Sequence, residues 1–123
     1  MPRILIIDDE PAIRDLLVEV FRDAGFEVAW AESGIDGVRL CGEQKPDLVV
    51  TDMLMPGKDG VETILELRRS APGLPVIAIS GGSARSPIDL LAMARRFGAV
   101  RVYRKPFDPF QLLADAKTVL SAA

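Results

Sequence analysis

Short apolar runs alternate with segments of helical periodicity along the chain. Ile4–Ile7, Leu48–Thr51 and Val76–Ser80 are largely apolar runs of a length typical of strands that are buried on both faces. Two further runs, Phe26–Trp30 and Val100–Tyr103, are also suited to strands. The pattern therefore predicts five strands.

Each predicted strand is followed by apolar residues that recur at helical spacing. Glycine or proline marks where the first four helices should end: Gly25, Gly42, Pro72 and Gly98. The helical segments are marked by Ile13, Leu16, Leu17, Val20, Phe21 and Ala24; by Ile35–Cys41; by Val61, Ile64 and Leu65; by Leu90, Leu91, Ala94 and Phe97; and by Leu112, Leu113, Ala116, Val119 and Leu120.

Five successive strand–helix units predict an α/β fold, a doubly wound (βα)5 architecture with right-handed crossovers. The parallel sheet should lie between two helical layers. With 123 residues the chain is long enough to bury a core as one domain. Since no linker, repeat or low-complexity segment interrupts the pattern, we expect residues 1–123 to form a single domain.

Charge is unevenly distributed, although the net charge is only -3. Residues 1–62 contain 14 acids and 6 bases, whereas residues 63–123 contain 4 acids and 9 bases. Such a division suggests two sites of different character, although solvated faces alone would also produce it. The single cysteine, Cys41, favours a reducing compartment, and no apolar run reaches membrane length, so a cytoplasmic location is expected.

The residues that directly follow the strands are the candidates for chemistry. In an open parallel sheet, ligands bind beyond the carboxyl ends of the strands. The polar residues at these positions are Asp8, Asp9 and Glu10 after the first strand, Asp52 after the third, Ser80 at the end of the fourth and Lys105 after the fifth.

These side chains together predict a phosphoryl-transfer site. Converging carboxylates repel one another, and oxygen ligands with water suit Mg²⁺ or Mn²⁺. Lys105 can pair with carboxylate or phosphate oxygens, and the Ser80 hydroxyl can donate to an oxyanion. Asp52 would then be the nucleophile and an acyl phosphate the product.

Each element also has a purely structural interpretation. The run Asp8-Asp9-Glu10-Pro11 is a good helix start, with a cap and an early proline. Ser80-Gly81-Gly82 can be an ordinary turn, and Lys105 a surface residue. The coincidence of all these residues at strand ends favours the functional interpretation.

Four motifs give the chain a strong resemblance to the receiver domains of two-component response regulators. They are "ILIIDDE", "VVTDMLMPGKDG", "VIAISGG" and "RKPF", and the resemblance extends from about Arg3 to Leu120. It implies the strand order 2-1-3-4-5 and a CheY-like phosphoacceptor switch rather than an enzyme. It also implies a histidine kinase or histidine phosphotransfer protein as phosphodonor, in a Mg²⁺-dependent reaction, and an output partner that the sequence does not identify.

The resemblance assigns roles residue by residue. Asp52 corresponds to the phosphorylated aspartate and also to a metal ligand. Asp9 corresponds to a direct Mg²⁺ ligand, Asp8 to an acid that holds the metal largely through water, and the backbone carbonyl of Leu54 to the third protein ligand. Ser80 and Lys105 correspond to the two residues that contact the phosphoryl group. The Lys105–Pro106 peptide bond is expected to be cis.

One position departs from the family pattern. The switch aromatic lies three residues before the lysine, and here that residue is Val102. Tyr103 is its neighbour, and neighbours on a strand face opposite sides. The usual coupled movement of hydroxyl and ring is therefore not expected. We expect phosphorylation to rearrange the loop after the fourth strand and to alter the face formed by the fourth helix, fifth strand and fifth helix. Candidate residues of this face are Arg95, Arg96, Arg101, Arg104 and Tyr103.

Three rival functions follow from the same residues. A phosphatase with a nucleophilic Asp would need an acid two residues after Asp52, where the chain has Leu54. A flavodoxin-type cofactor binder needs a phosphate-cradling loop after the first strand, where three acids stand instead. An interaction module of the same fold that is never phosphorylated remains a third possibility. The sequence contains no DNA-reading motif.

Overall fold

The computed structural model describes residues 1–53, 60–80 and 87–122, with the backbone alone at 87–91. Strands and helices alternate: β1 (Arg3–Ile7), α1 (Pro11–Asp23), β2 (Glu27–Ala31), α2 (Gly34–Gln44), β3 (Leu48–Asp52), α3 (Gly60–Ser70), β4 (Val76–Ser80), α4 (Pro87–Arg96), β5 (Ala99–Arg104) and α5 (Pro109–Ser121). All strand pairs are parallel, in the order β2-β1-β3-β4-β5. The predicted fold class and strand order are confirmed.

The sheet separates two apolar clusters, because successive residues of each strand face opposite sides. On the side of α2 and α3 lie Leu5, Ile7, Val49, Ile64, Leu67, Val76 and Ala78, with Val102 packed against them. On the side of α1 and α5 lie Ile4, Ile6, Leu17, Phe21, Val50, Ile77, Ile79 and Leu112, with Tyr103 packed against them. Strands β3 and β4 are buried at every position, as their continuous apolar runs predict.

The helix ends agree with the sequence pattern except in α2. Gly25 and Gly98 have positive φ angles of 95° and 118°, as expected for glycines that follow a helix. Gly42 does not end α2, so that prediction was wrong. The helix continues to Gln44 and ends where Lys45 adopts a left-handed conformation with φ 49°, its N–H donating to the Cys41 carbonyl.

None of the helices in the described ranges has the length and apolar character needed to span a bilayer.

Candidate functional site

Asp8 and Asp52 lie at the same edge of the sheet, because β1 and β3 are parallel neighbours. Asp52 is the last residue of β3 and is 2% exposed, and Asp8 follows β1 and is 1% exposed. Backbone hydrogen bonds continue the sheet past these strands: the Asp8 N–H donates to the Ala31 carbonyl at 3.1 Å and the Met53 N–H to the Ile79 carbonyl at 2.8 Å. Both carboxylates are therefore held by the sheet itself.

Gly60 explains how α3 begins so close to the end of β3. Its N–H donates to the Met53 carbonyl at 3.2 Å. A Cβ atom at this position would lie 2.4 Å from the Met53 Cα, a distance that no side chain tolerates. Only glycine allows this close approach, which fixes the backbone next to Asp52.

Lys105 follows β5 and extends its ammonium into the acidic edge. Its backbone N–H donates to the Ser80 carbonyl at 2.9 Å, which places the start of its side chain beside the end of β4. Its Nζ lies 3.0 Å from Glu10 Oε1, 3.1 Å from Asp52 Oδ2 and 3.3 Å from Asp8 Oδ2. The Lys105–Pro106 peptide bond is cis, as the resemblance implies.

The environment changes the protonation of two of these groups. Burial raises the pKa of Asp8 from its ordinary value of 3.8 to about 6, helped by the charge of Asp52 and opposed by the Glu10 N–H and by Lys105. Burial by itself would lower the pKa of Lys105. However, the hydrogen bond to Glu10 and the negative charges of Asp52 and Asp8 outweigh it, and the pKa is raised. Lys105 is therefore a permanent cation at neutral pH.

The carboxylates form a group that fits a divalent cation. One carboxylate oxygen from each of Asp8, Glu10 and Asp52 lies within 4.8 Å of the others. Asp8 Oδ2 is buried and forms an ion pair with the Lys105 ammonium 3.3 Å away, so this oxygen already faces a positive charge. Hard oxygen donors of this kind suit Mg²⁺ and similar ions.

The structure brings some of the predicted metal ligands together and leaves another outside the group. It brings Asp8 and Asp52 together, and it adds Glu10, whose contact with Lys105 was not predicted from the sequence. Asp9 is half-buried and does not belong to the group of three carboxylates. Its role as a metal ligand stays a prediction. The carbonyl of Leu54 lies outside the described residues.

Ser80 lies where the sequence predicts it, as the fully buried last residue of β4. It pairs with Arg104 in the parallel register of β4 and β5. Gly81 and Gly82, which follow it, lie outside the described residues.

Val102 and Tyr103 point to opposite sides of the sheet, as predicted. Val102 packs among the apolar residues on the side of α2 and α3. Tyr103 packs on the side of α1 and α5, where its ring lies 6.3 Å from that of Phe107 and its hydroxyl donates to Asp115. Burial, helped by the Asp115 carboxylate, raises the pKa of Tyr103. Tyr103 therefore ties β5 to α5 and does not replace the missing ring at position 102.

The family model of the response regulator receiver domain matches residues 4–117 of this chain. The chain belongs to the response regulator receiver family. It is thus a phosphoacceptor switch of two-component systems rather than a catalytic enzyme, and the acidic group at its sheet edge is consistent with the metal site typical of receivers. The phosphatase interpretation is excluded by this membership.

Solved receiver structures agree with this fold. The receiver domain of NtrX from Brucella abortus superimposes with a TM-score of 0.89 at 32% identity, covering 98% of this receiver and 99% of that chain. A CheY-like receiver domain protein from Methanospirillum hungatei JF-1 gives a TM-score of 0.89 at 26% identity, covering 99% of this receiver and 95% of that chain.

Curated relatives differ in how much of their own length the receiver covers. Sporulation initiation phosphotransferase F of Bacillus subtilis (strain 168) is 34% identical over 106 residues, which cover 86% of this receiver and 83% of that protein. The DNA-binding dual master transcriptional regulator RpaA of Synechocystis sp. is 37% identical over 122 residues, which cover 98% of this receiver but 49% of that protein. The receiver spans about half the length of several transcriptional regulators that it matches, RpaA among them.

Proposed function

We propose that residues 1–123 act as a single receiver domain that accepts a phosphoryl group on Asp52 from a histidine kinase or a histidine phosphotransfer protein. The observation that supports this most directly is the contact of 3.1 Å between Asp52 Oδ2 and the Lys105 ammonium at the carboxyl end of β3. A buried carboxylate with a permanent cation beside it has the parts that phosphoryl transfer needs.

In this proposal a carboxylate oxygen of Asp52 forms the bond to phosphorus while the bond from phosphorus to the donor's leaving group breaks. The Lys105 ammonium neutralises negative charge on the phosphoryl oxygens, and the Ser80 hydroxyl donates a hydrogen bond to one of them. A bound Mg²⁺ would supply further charge neutralisation. Asp8, Asp9, Asp52 and the Leu54 carbonyl would hold it, with Mn²⁺ as a substitute and Glu10 close by.

Phosphorylation adds up to two negative charges beside β4, and we propose that this added charge triggers the switch. Ser80 and the segment that follows it are expected to respond, since the Ser80 hydroxyl can donate to a phosphoryl oxygen. The response then alters partner binding on the face made by α4, β5 and α5. Arg95, Arg96 and Arg104 are exposed on this face and Arg101 is half-buried, so it favours an acidic partner surface.

The test is mass measurement after incubation with Mg²⁺ and acetyl phosphate or phosphoramidate. The wild-type protein should gain the mass of one phosphoryl group, and Asp52→Asn should gain none. Asp23→Asn, which removes an exposed acid at the end of α1, serves as the matched control and should be labelled like the wild type. Absence of labelling in the wild type by small donors and by kinases would favour an interaction module that is never phosphorylated.

A further inference from the structure

The Lys105 ammonium divides its hydrogen bonds between a buried and an exposed carboxylate. It donates to Asp52 Oδ2 at 3.1 Å and to Glu10 Oε1 at 3.0 Å. Asp8 Oδ2 lies 3.3 Å away and forms an ion pair but accepts no hydrogen bond from the described part of the chain. The ammonium therefore donates hydrogen bonds to the proposed phosphoacceptor and to Glu10, with Asp8 as a third ion-pair partner.

Glu10 differs from the other two acids in its position. Its side chain is 57% exposed, whereas those of Asp52 and Asp8 are 3% and 1% exposed. Its backbone N–H donates to Asp8 Oδ1 at 2.9 Å, which turns the chain just before α1 and brings the Glu10 carboxylate over the ammonium. Glu10 thus binds Lys105 from the solvent side, while Asp52 binds it from the interior.

We propose that Glu10 is a positioning residue for Lys105. By accepting one hydrogen bond from the solvent side, it keeps the ammonium at the opening of the site, where an incoming phosphoryl oxygen can reach it. Without Glu10, the carboxylates that remain beside the Lys105 ammonium are the buried ones of Asp52 and Asp8. The ammonium then moves inward, closer to these two carboxylates. Asp52 must then break a stronger ion pair in a poorly solvated place before it can attack phosphorus. This inference rests on the proposed function of Asp52.

Two substitutions separate placement from charge. Glu10→Ala removes both the negative charge and the acceptor, whereas Glu10→Gln removes the charge but keeps an oxygen that accepts a hydrogen bond from Lys105. Glu19→Ala, which removes an exposed acid farther along α1, is the matched control for the loss of one charge.

The first measurement uses NMR of the Lys105 ammonium in the metal-free protein without any phosphodonor. The ammonium resonance of Glu10→Gln should stay closer to that of the wild type than the resonance of Glu10→Ala, which should also exchange differently with water. An unchanged resonance in Glu10→Ala would overturn the proposal, because the lysine would then be placed without Glu10. This measurement does not depend on phosphorylation.

The second measurement is the rate of phosphorylation by acetyl phosphate at saturating Mg²⁺. Glu10→Ala should give a kcat about fivefold below that of Glu10→Gln, the rate equivalent of one net hydrogen bond, while Glu19→Ala keeps the wild-type kcat. Both Glu10 variants lose the same charge, so they should share any change in KM for this anionic donor. Equal kcat values in the two Glu10 variants would overturn the proposal. If the wild type is not labelled at all, the proposed function fails, and the resonance of Lys105 alone decides whether Glu10 places it.

Discussion

Replacing Asp8 by asparagine should stabilise the metal-free protein, although it damages the site. The Asp8 carboxylate is buried next to the Asp52 carboxylate, and burial raises its pKa from 3.8 to about 6. Asparagine has nearly the same shape and keeps an oxygen that can accept from the Glu10 N–H, but it carries no charge. The variant therefore removes the cost of an ionised acid and keeps its local hydrogen bond.

The magnitude follows from the pKa. A rise of this size corresponds to at most about 3 kcal/mol of free energy. The exposed Glu10 shows that water reaches the opening of the site, and this screening reduces the expected gain to about 1–2 kcal/mol. Because the folded pKa lies above the unfolded one, the wild-type free energy of unfolding falls as pH rises from about 4 to about 6. The advantage of Asp8→Asn should be absent below that range and complete above it.

The assay is urea denaturation of both proteins with a chelator present, at a series of pH values from 4 to 8, with the exposed-acid variant Asp23→Asn as control. Saturating Mg²⁺ should then stabilise the wild type more than Asp8→Asn, since only the wild type has the full set of ligands. A variant less stable than the wild type at pH 7.5 without metal would refute the reasoning. So would a gain that does not vary with pH.

Three further predictions concern the backbone next to the site, the interior of α2 and the anchor of β5. Gly60→Ala should destabilise the protein by about 2 kcal/mol or more, since its methyl group meets the Met53 backbone. Gly42 lies inside α2 with open space around it, so Gly42→Ala should stabilise the protein by about 0.5–1 kcal/mol. Thermal melts of both glycine variants beside the wild type measure these changes. Tyr103→Phe should cost about 1 kcal/mol of stability through the lost hydrogen bond to Asp115. In NMR spectra it should leave the phosphorylation-induced changes around Ser80 in place, and loss of those changes would show that Tyr103 is part of the switch.

The strands and the edge of the site were predictable from the sequence because their signals are local. Continuous apolar runs identify β3 and β4, and parallel strands necessarily bring their carboxyl ends to one edge. The meeting of Asp8, Asp52 and Lys105 follows from that topology, since each residue directly follows or ends a strand. The alternation of strand residues likewise separates Val102 from Tyr103, because adjacent positions on a strand face opposite sides of the sheet.

The role of Glu10 and the end of α2 were not predictable in the same way. Three acids follow β1 in succession, and whether Asp9 or Glu10 joins Asp8 beside Lys105 depends on the turn that the Asp8 side chain makes with the Glu10 N–H. In α2, Gly42 is tolerated inside the helix, and the helix ends only where Lys45 adopts the left-handed conformation that glycine usually occupies. Both outcomes depend on geometry that residue type alone does not determine.

The backbone hydrogen bonds that continue the sheet beyond its strands have a mechanical consequence. The backbone N–H groups of Asp8, Met53 and Lys105 donate hydrogen bonds to carbonyls of neighbouring strands. The backbone around the site therefore belongs to the same cooperative unit as the core and opens only when that unit opens. A group attached to Asp52 acts on a stiff frame, so the frame does not absorb the strain. We therefore expect the response to a group on Asp52 to be larger outside this frame than within it.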